Sequence, residues 1–166
     1  WSDCGSIFRM VDGSWRIYLN GYGVKLGLLM SESLTGPWHF LRSDTGQIKD
    51  LAAVLTQTTG KDRSGYAFPT VVRVNDAEWH SWFSQGWPGR SIWHLWSEDG
   101  LKWTLYGKQP EITRADVDEK PFRNIRVYRD ADTNSLVGLL SVRDQMSNGE
   151  EGWVFYRSEL KPERTD

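Results

Sequence analysis

Residues 70–83 read TVVRVNDAEWHSWF, and this stretch decides the fold. An apolar run leads into the polar pair Asn75-Asp76, and a second run rich in aromatic residues follows at once. β-Branched and aromatic residues favour strands, and a short polar turn between two such runs is typical of a hairpin. The stretch therefore predicts two antiparallel strands joined by a tight turn.

The same strand, turn and strand pattern occurs at two other places. Residues 7–19 carry it around Asp12-Gly13, a dipeptide typical of hairpin turns, and residues 125–140 carry it with a longer turn. The first two copies are offset by 64 residues at three pairs of landmarks: Asp12 and Asp76, Trp15 and Trp79, and Tyr18 and Trp82. The pattern therefore indicates an internal repeat.

Each hairpin is followed by a third apolar strand and a polar turn. In the first two units the turn ends in tryptophan: residues 31–38 read SESLTGPW, and residues 97–103 read SEDGLKW. We interpret Trp38 and Trp103 as structural residues that close these turns. We interpret Trp15, Trp79 and Trp82 as core residues between repeated units.

A repeated antiparallel unit of about four short strands is typical of a β-propeller blade. We predict an all-β fold with about three four-stranded blades in one domain, residues 1–166. Blade 1 spans about 1–46, blade 2 about 66–112 and blade 3 about 118–162, with a candidate short helix near 47–55. The alternative is a β-sandwich whose hairpins are similar by accident.

Three blades are fewer than the roughly four to eight of closed propellers. An open arc leaves sheet surfaces uncovered, so we expect completion by missing sequence or by a homo-oligomer. A symmetric dimer supplies six blades.

Composition excludes several classes of protein. The 166 residues are 39% hydrophobic and carry a net charge of −2, which supports a packed core and argues against a nucleic-acid partner. No membrane association is expected, because no apolar run has the length of a membrane span. The lone Cys4 excludes an intrachain disulfide. No signal-peptide pattern occurs, and the sequence leaves the compartment open.

No cofactor or metal is expected. The sequence has no Gly-rich phosphate loop, no Cys/His metal spacing and no Gly-x-Ser-x-Gly elbow. The three histidines do not cluster along the sequence, and we interpret each as a surface or half-buried residue: His39, His80 and His94.

The starts of the innermost strands carry the candidate chemistry. Pro69 and Pro121 open the inner strands of units two and three, and the residues two positions earlier are Ala67 and Glu119. The equivalent position in unit one is Asp3. A pair of carboxylates converging on one axis is what glycoside hydrolysis requires. The competing interpretation is that such acids cap turns or face water.

The tryptophan-ending turns resemble the blade-end turns of the five-bladed propeller glycosidases, the arabinanase/xylosidase-like and invertase/fructosidase-like enzymes. Glu119-Lys120-Pro121 resembles the Glu-x-Pro that carries the general acid in that family. The resemblance covers the whole chain but only about three of the five blades. It implies a glycoside hydrolase with Glu119 as the acid and Asp3 as base or nucleophile, with inversion as our hypothesis.

Two departures from the family bear on catalysis, and the first of them, together with the short chain, favours binding. The family's second-blade aspartate, which tunes the acid, would fall at Ala67, and Asp3 is followed by Cys4-Gly5 rather than by proline. A lectin-like propeller that binds carbohydrate without cleaving it is therefore one alternative. A propeller that binds only proteins is another.

Four further residues are candidates for carbohydrate binding. The rings of Trp1, Tyr66 and Trp87 are candidates for stacking on sugar faces. Alternation puts Arg123 on the same side of its strand as Glu119, where it either binds a sugar hydroxyl or carboxylate or forms a salt bridge.

Overall fold

The computed structural model describes residues 3–21, 25–41, 66–85 and 91–160. In these residues the protein is all-β, as predicted, and its helical content is one four-residue 3₁₀ turn at Arg114–Val117. No helix in these ranges is long and apolar enough to cross a membrane. The candidate helix near residues 47–55 lies outside them. The strands are β1 (Asp3–Arg9), β2 (Trp15–Gly21), β3 (Lys25–Ser31), β4 (His39–Leu41), β5 (Tyr66–Asn75), β6 (Glu78–Gln85), β7 (Ser91–Ser97), β8 (Thr104–Leu105), β9 (Ile112–Thr113), β10 (Phe122–Arg129), β11 (Leu136–Gln145) and β12 (Glu151–Leu160).

The strands form three antiparallel sheets in chain order. Sheet 1 contains β1-β2-β3-β4, sheet 2 contains β5-β6-β7-β8 with β9 paired to β7, and sheet 3 contains β10-β11-β12. The three predicted hairpins are confirmed as the pairs β1–β2, β5–β6 and β10–β11. Sheet 3 has three strands in the described residues, where about four were predicted.

Sheet 2 packs between the other two sheets. In β6, Trp79 and Phe83 enter a core shared with sheet 1, while Trp82 enters a core shared with sheet 3. Successive side chains of a strand point to opposite faces, and β6 therefore contributes to both cores. Trp79, Trp82 and Trp103 are fully buried, as interpreted from the sequence, while Trp15 and Trp38 are half-buried.

The first strands of sheets 1 and 2 run in the same direction. The Ser6 hydroxyl donates to the carbonyl oxygen of Val71 over 3.0 Å and accepts from its N–H over 3.3 Å. Further along, the Arg73 guanidinium donates to the carbonyl oxygen of Arg9 over 2.7 Å. Residue numbers rise together along both strands, so β1 and β5 are parallel neighbours.

The same arrangement is repeated between sheets 2 and 3. The Thr70 hydroxyl bonds the main chain of Val127 at 3.5 and 3.3 Å, and Arg129 donates to the carbonyl oxygen of Val74 over 3.2 Å. β5 and β10 are therefore parallel as well. The first residues of β1, β5 and β10 consequently lie at one end of the three sheets.

Residues 97–103 form the turn after β7, and the hydrogen bonds of this turn give its sequence motif a structural role. The Ser97 hydroxyl accepts the Gly100 N–H over 2.9 Å, and Asp99 Oδ1 accepts the next two backbone N–H groups at 2.7 and 2.8 Å. Gly100 has φ +71°, and its carbonyl oxygen accepts the Tyr18 hydroxyl over 2.8 Å. The turn thereby joins sheet 2 to sheet 1 and buries Trp103 beneath it.

Candidate functional site

The candidate site is the end of the sheets at which β1, β5 and β10 begin. Asp3 opens β1 and pairs with Asn20, and Tyr66 opens β5 and pairs with Gln85. Glu119 precedes the first residue of β10 by three positions. The structure thus brings the backbone segments of these three candidates to one end. Trp1 and Trp87, also candidates, lie outside the described residues.

Glu119 has an unusual backbone conformation. It follows the 3₁₀ turn, and both Asp118 and Glu119 lie in the left-handed region, with φ values of +54° and +59°. Its N–H donates to the carbonyl oxygen of Arg114 over 2.8 Å, and its side chain is exposed. Non-glycine residues rarely adopt positive φ, and strain of this kind concentrates at functional sites. The turn therefore holds the Glu119 carboxylate toward solvent at an energetic cost.

The residue after Glu119 is anchored to sheet 3. Lys120 Nζ lies 2.9 Å from Asp144 Oδ2 and 3.2 Å from the Tyr156 hydroxyl, which itself donates to that carboxylate. The hydrogen bonds to Asp144 and then Tyr156 raise the pKa of Lys120 above its ordinary value. Those from Tyr156 and then Lys120 lower the pKa of Asp144 to about 2. The segment carrying Glu119 is therefore fixed immediately after that residue.

Pro121 continues the anchoring. Its carbonyl oxygen accepts the Arg143 N–H over 2.8 Å, which extends the pairing of β10 with β11 beyond the first residue of β10. The Glu-Lys-Pro motif is thus attached to sheet 3 through both residues that follow the glutamate.

Arg123 lies on the face of sheet 3 turned away from sheet 2. Its neighbour Phe122 enters the core shared with sheet 2, and the Arg123 guanidinium lies over the Trp153 ring, 4.0 Å from the centroid. This geometry gives a cation–π contact. A role for Arg123 in binding sugar stays a prediction.

Two buried histidines and two partly exposed glutamates form a chain of hydrogen bonds that the sequence does not predict. It runs from Glu78 Oε1 to His80 Nε2 (3.1 Å), from His80 Nδ1 to His94 Nε2 (2.8 Å), and from His94 Nδ1 to Glu111 Oε2 (2.7 Å). Both histidines are buried, which corrects their interpretation as surface or half-buried residues, whereas His39 is exposed. The pairing of β6 with β7 brings the two histidines together.

Aromatic rings enclose this chain. His94 is stacked between Trp82 and Tyr106, each 4.2 Å away between ring centroids, and Trp82 Nε1 donates to Glu111 over 2.9 Å. Burial lowers the pKa of His80 below its ordinary value. Burial opposes ionisation of Glu111, but hydrogen bonds from His94 and Trp82 and the His94 charge outweigh it and lower its pKa.

The chain lies in the β6–β7 pair, near the β5–β6 turn and away from the strand starts.

Within the described ranges, no group of three or more His, Cys, Asp or Glu side chains is arranged to hold a metal ion.

Comparisons with known proteins give a likeness of fold. No family model matches the chain, and no curated protein matches it. Among solved structures, the chain is similar to the native arabinanase of Bacillus subtilis, with a TM-score of 0.56 and 13% sequence identity. The match covers 93% of this chain and 57% of the arabinanase chain, so this chain spans little more than half of that protein's length. The resemblance drawn from the turns and from Glu119-Lys120-Pro121 is therefore supported at the level of fold.

Proposed function

We propose that the protein binds carbohydrate and hydrolyses a glycosidic bond at the end where β1, β5 and β10 begin. The observation that carries this proposal is Glu119, which is exposed in a left-handed backbone conformation and anchored through Lys120. The likeness of fold to an arabinanase adds support. A strained, exposed carboxylate at the shared end of three strands suits chemistry better than stability.

The proposed mechanism uses two carboxyl groups. Glu119 donates a proton to the glycosidic oxygen as the bond breaks, and Asp3 acts as the base that activates water on the opposite face of the sugar. A carboxyl separation of about 6.5–9.5 Å fits this inverting reaction, whereas about 5–5.5 Å fits retention with Asp3 as nucleophile. In this proposal Trp1, Tyr66 and Trp87 stack on sugar rings and Arg123 binds a polar group of the substrate.

The proposal extends to the architecture. We interpret the three sheets as consecutive blades of a propeller, with β1, β5 and β10 innermost. Equivalent hydrogen bonds at the two sheet interfaces support this, since Ser6 and Thr70 occupy equivalent positions, as do Arg73 and Arg129.

Glu119→Gln tests the catalytic role. The amide keeps the shape of the side chain but has no acidic proton to transfer to the leaving oxygen. We therefore expect hydrolysis to fall by about 100- to 10,000-fold while the dissociation constant for sugar changes little. Release of reducing ends from arabinan and a panel of other polysaccharides measures the rate of hydrolysis. Calorimetry with the same sugars measures the dissociation constant.

Glu32→Gln is the matched control, because Glu32 is an exposed glutamate in the turn after β3. It should leave both hydrolysis and binding unchanged. A Glu119→Gln rate equal to that of the unmodified protein on a substrate that this protein cleaves would remove Glu119 from the mechanism.

Ala67 favours a second candidate function, a lectin-like domain. Its position in β5 carries a methyl group where the resemblance calls for a tuning carboxylate. Calorimetric binding of sugar with no reducing ends released over long incubation would select this function. Absence of any sugar binding would contradict both and leave the protein-binding alternative.

A further inference from the structure

The face of sheet 1 turned away from sheet 2 carries an apolar row. Cross-strand pairing aligns Ile7 with Ile17, Ile17 with Leu29, and Leu29 with Phe40, so the row crosses all four strands. Ile7 is 49% exposed and Phe40 is 41% exposed. Apolar side chains aligned across a whole sheet are the usual basis for packing against another layer.

Sheet 2 has the equivalent row in the same register, and there it is covered. Val71 pairs with Ser81, Ser81 with Leu95, and Leu95 with Leu105, at positions 64 to 66 residues after their counterparts in sheet 1. Val71, Ser81 and Leu95 are buried, and Leu105 packs on the core shared with sheet 1. The row on sheet 1 therefore occupies the positions by which sheet 2 contacts the sheet before it.

Arg9 shows the same correspondence between the sheets for a charged side chain. Arg73 and Arg129 occupy equivalent positions in sheets 2 and 3, and each donates to a backbone carbonyl oxygen of the preceding sheet. Arg9 is the sheet 1 equivalent, lies on the outward face with Ile7, and is exposed. Sheet 1 thus has, in addition to the apolar row, an arginine at the position that contacts the preceding sheet in sheets 2 and 3.

The face of sheet 3 turned away from sheet 2 has exposed aromatic residues among charged ones. Tyr128 is 42% exposed and Phe155 is 68% exposed on this face, where strand pairing also places the exposed Arg126, Arg143 and Arg157. Tyr128 occupies the position of Val72 in sheet 2 and of Phe8 in sheet 1. Val72 is buried in the core shared with sheet 3, and Phe8 packs edge-on against Trp79 at 5.1 Å between centroids. Sheet 3 therefore has an exposed aromatic residue where the other sheets contact the sheet that follows.

We propose that the outward face of sheet 1 packs on the outward face of sheet 3 of a second copy of this chain. The contact repeats the two sheet interfaces already present within one chain. A two-fold axis forms this contact twice, because each copy has one outward face of sheet 1 and one outward face of sheet 3. The six sheets of the dimer then close into a ring. Closure covers the apolar row of sheet 1 and the exposed Tyr128 and Phe155 of sheet 3, and it lets Arg9 reach a backbone carbonyl of the partner's sheet 3.

Light scattering on the 166-residue chain tests the proposal. We expect a mass of twice 19.2 kDa at micromolar concentration. Ile7→Arg and Phe155→Arg should each convert the dimer to monomer, because each places a charge in one of the two contacting faces. Val11→Arg is the control, since Val11 is 76% exposed in the β1–β2 turn, outside both faces. A monomeric parent chain would overturn the proposal.

Mixing the two variants tests which faces meet. Ile7→Arg keeps an intact sheet 3 face and Phe155→Arg keeps an intact sheet 1 face, so an equimolar mixture should regain a dimer held by one interface. Circular dichroism of each variant alone confirms that it is folded. A Phe155→Arg variant that remains fully dimeric would show sheet 1 pairing with itself and would overturn the head-to-tail arrangement. The readout is mass, so it is independent of the proposed hydrolysis.

Discussion

At the scale of single residues, Gly100 shows how closely sheets 1 and 2 approach. Its φ of +71° is a conformation that side chains disfavour, and a Cβ there would collide with the Tyr18 hydroxyl and lie 3.1 Å from the Trp79 ring. Both neighbours are buried and fixed, so they have little room to move. The glycine is required by backbone conformation and by packing together.

Gly100→Ala and Gly13→Ala separate these two requirements. Gly13 has φ +84° and nothing within 4 Å of its would-be Cβ, so its replacement should cost about 1 kcal/mol of unfolding free energy from backbone strain alone. Gly100→Ala should cost about 2–4 kcal/mol, because overpacking adds to the same strain. Urea unfolding followed by tryptophan fluorescence measures both. Equal losses for the two variants would contradict the packing argument.

Glu119 shows what sequence predicts at the residue scale and what it does not. Its place two residues before Pro121, close to the start of the first strand of a sheet, could be predicted from the repeat. Its left-handed conformation and the anchoring of Lys120 on Asp144 could not, because they depend on the 3₁₀ turn and on strands more than twenty residues away.

At the scale of elements, the β6–β7 pair holds most of the buried polar side chains in the part of the chain that the structure describes. The hairpins around this pair follow from the alternation of apolar and polar residues and from the turn residues between the strands. These local signals are enough to predict the strands. The contact between His80 and His94 depends on strand register, and Glu111 reaches them from the connection before β9. Local sequence signals carry no information about such a contact, so the sequence alone does not predict that the two histidines are paired and buried.

We expect His80 and its neighbours to make the free energy of unfolding decrease as the pH is lowered. The lowered pKa of His80 means that the unfolded chain binds that proton more readily, so stability is complete above about pH 6.5 and declines below it. The lowered pKa of Glu111 adds a further loss below about pH 4.5.

Urea unfolding at intervals from pH 4 to pH 8 measures this dependence. His80→Gln should lower stability at neutral pH and flatten the profile between pH 6.5 and 4.5, because the group that titrates there is gone. His39→Gln, at an exposed histidine, should leave the profile unchanged. A parent profile that stays flat through this range would contradict the effect of burial on His80.

At the scale of the whole molecule, sheet 2 joins two hydrophobic cores. β6 places Phe83 in the core shared with sheet 1 and Trp82 in the core shared with sheet 3, so neither core can open without disturbing β6. The offset of 64 residues predicted the repetition of the sheets. The identity of the interface residues required the structure, because equivalent positions carry residues as different as Phe8 and Val72.

We expect the three sheets to unfold as one unit. Phe83→Leu in the first core and Phe122→Leu in the second should each destabilise the protein by about 1–2 kcal/mol and shift the same single transition. Their effects should add in the double variant, because the two residues belong to separate cores. Urea unfolding followed by both far-ultraviolet circular dichroism and tryptophan fluorescence measures these effects, and the two signals should report the same transition. Separate transitions in either variant would contradict it.

The common direction of β1, β5 and β10 has a consequence for engineering. The first residues of these strands lie at one end of the three sheets, and before β10 the exposed Asp118 and Glu119 lie there between the buried Val117 and Phe122. Asp118 and Glu119 can therefore be randomised with little loss of packing, whereas Val117 and Phe122 must be kept because they belong to the core shared with sheet 2. A library built at this end should vary the exposed positions only.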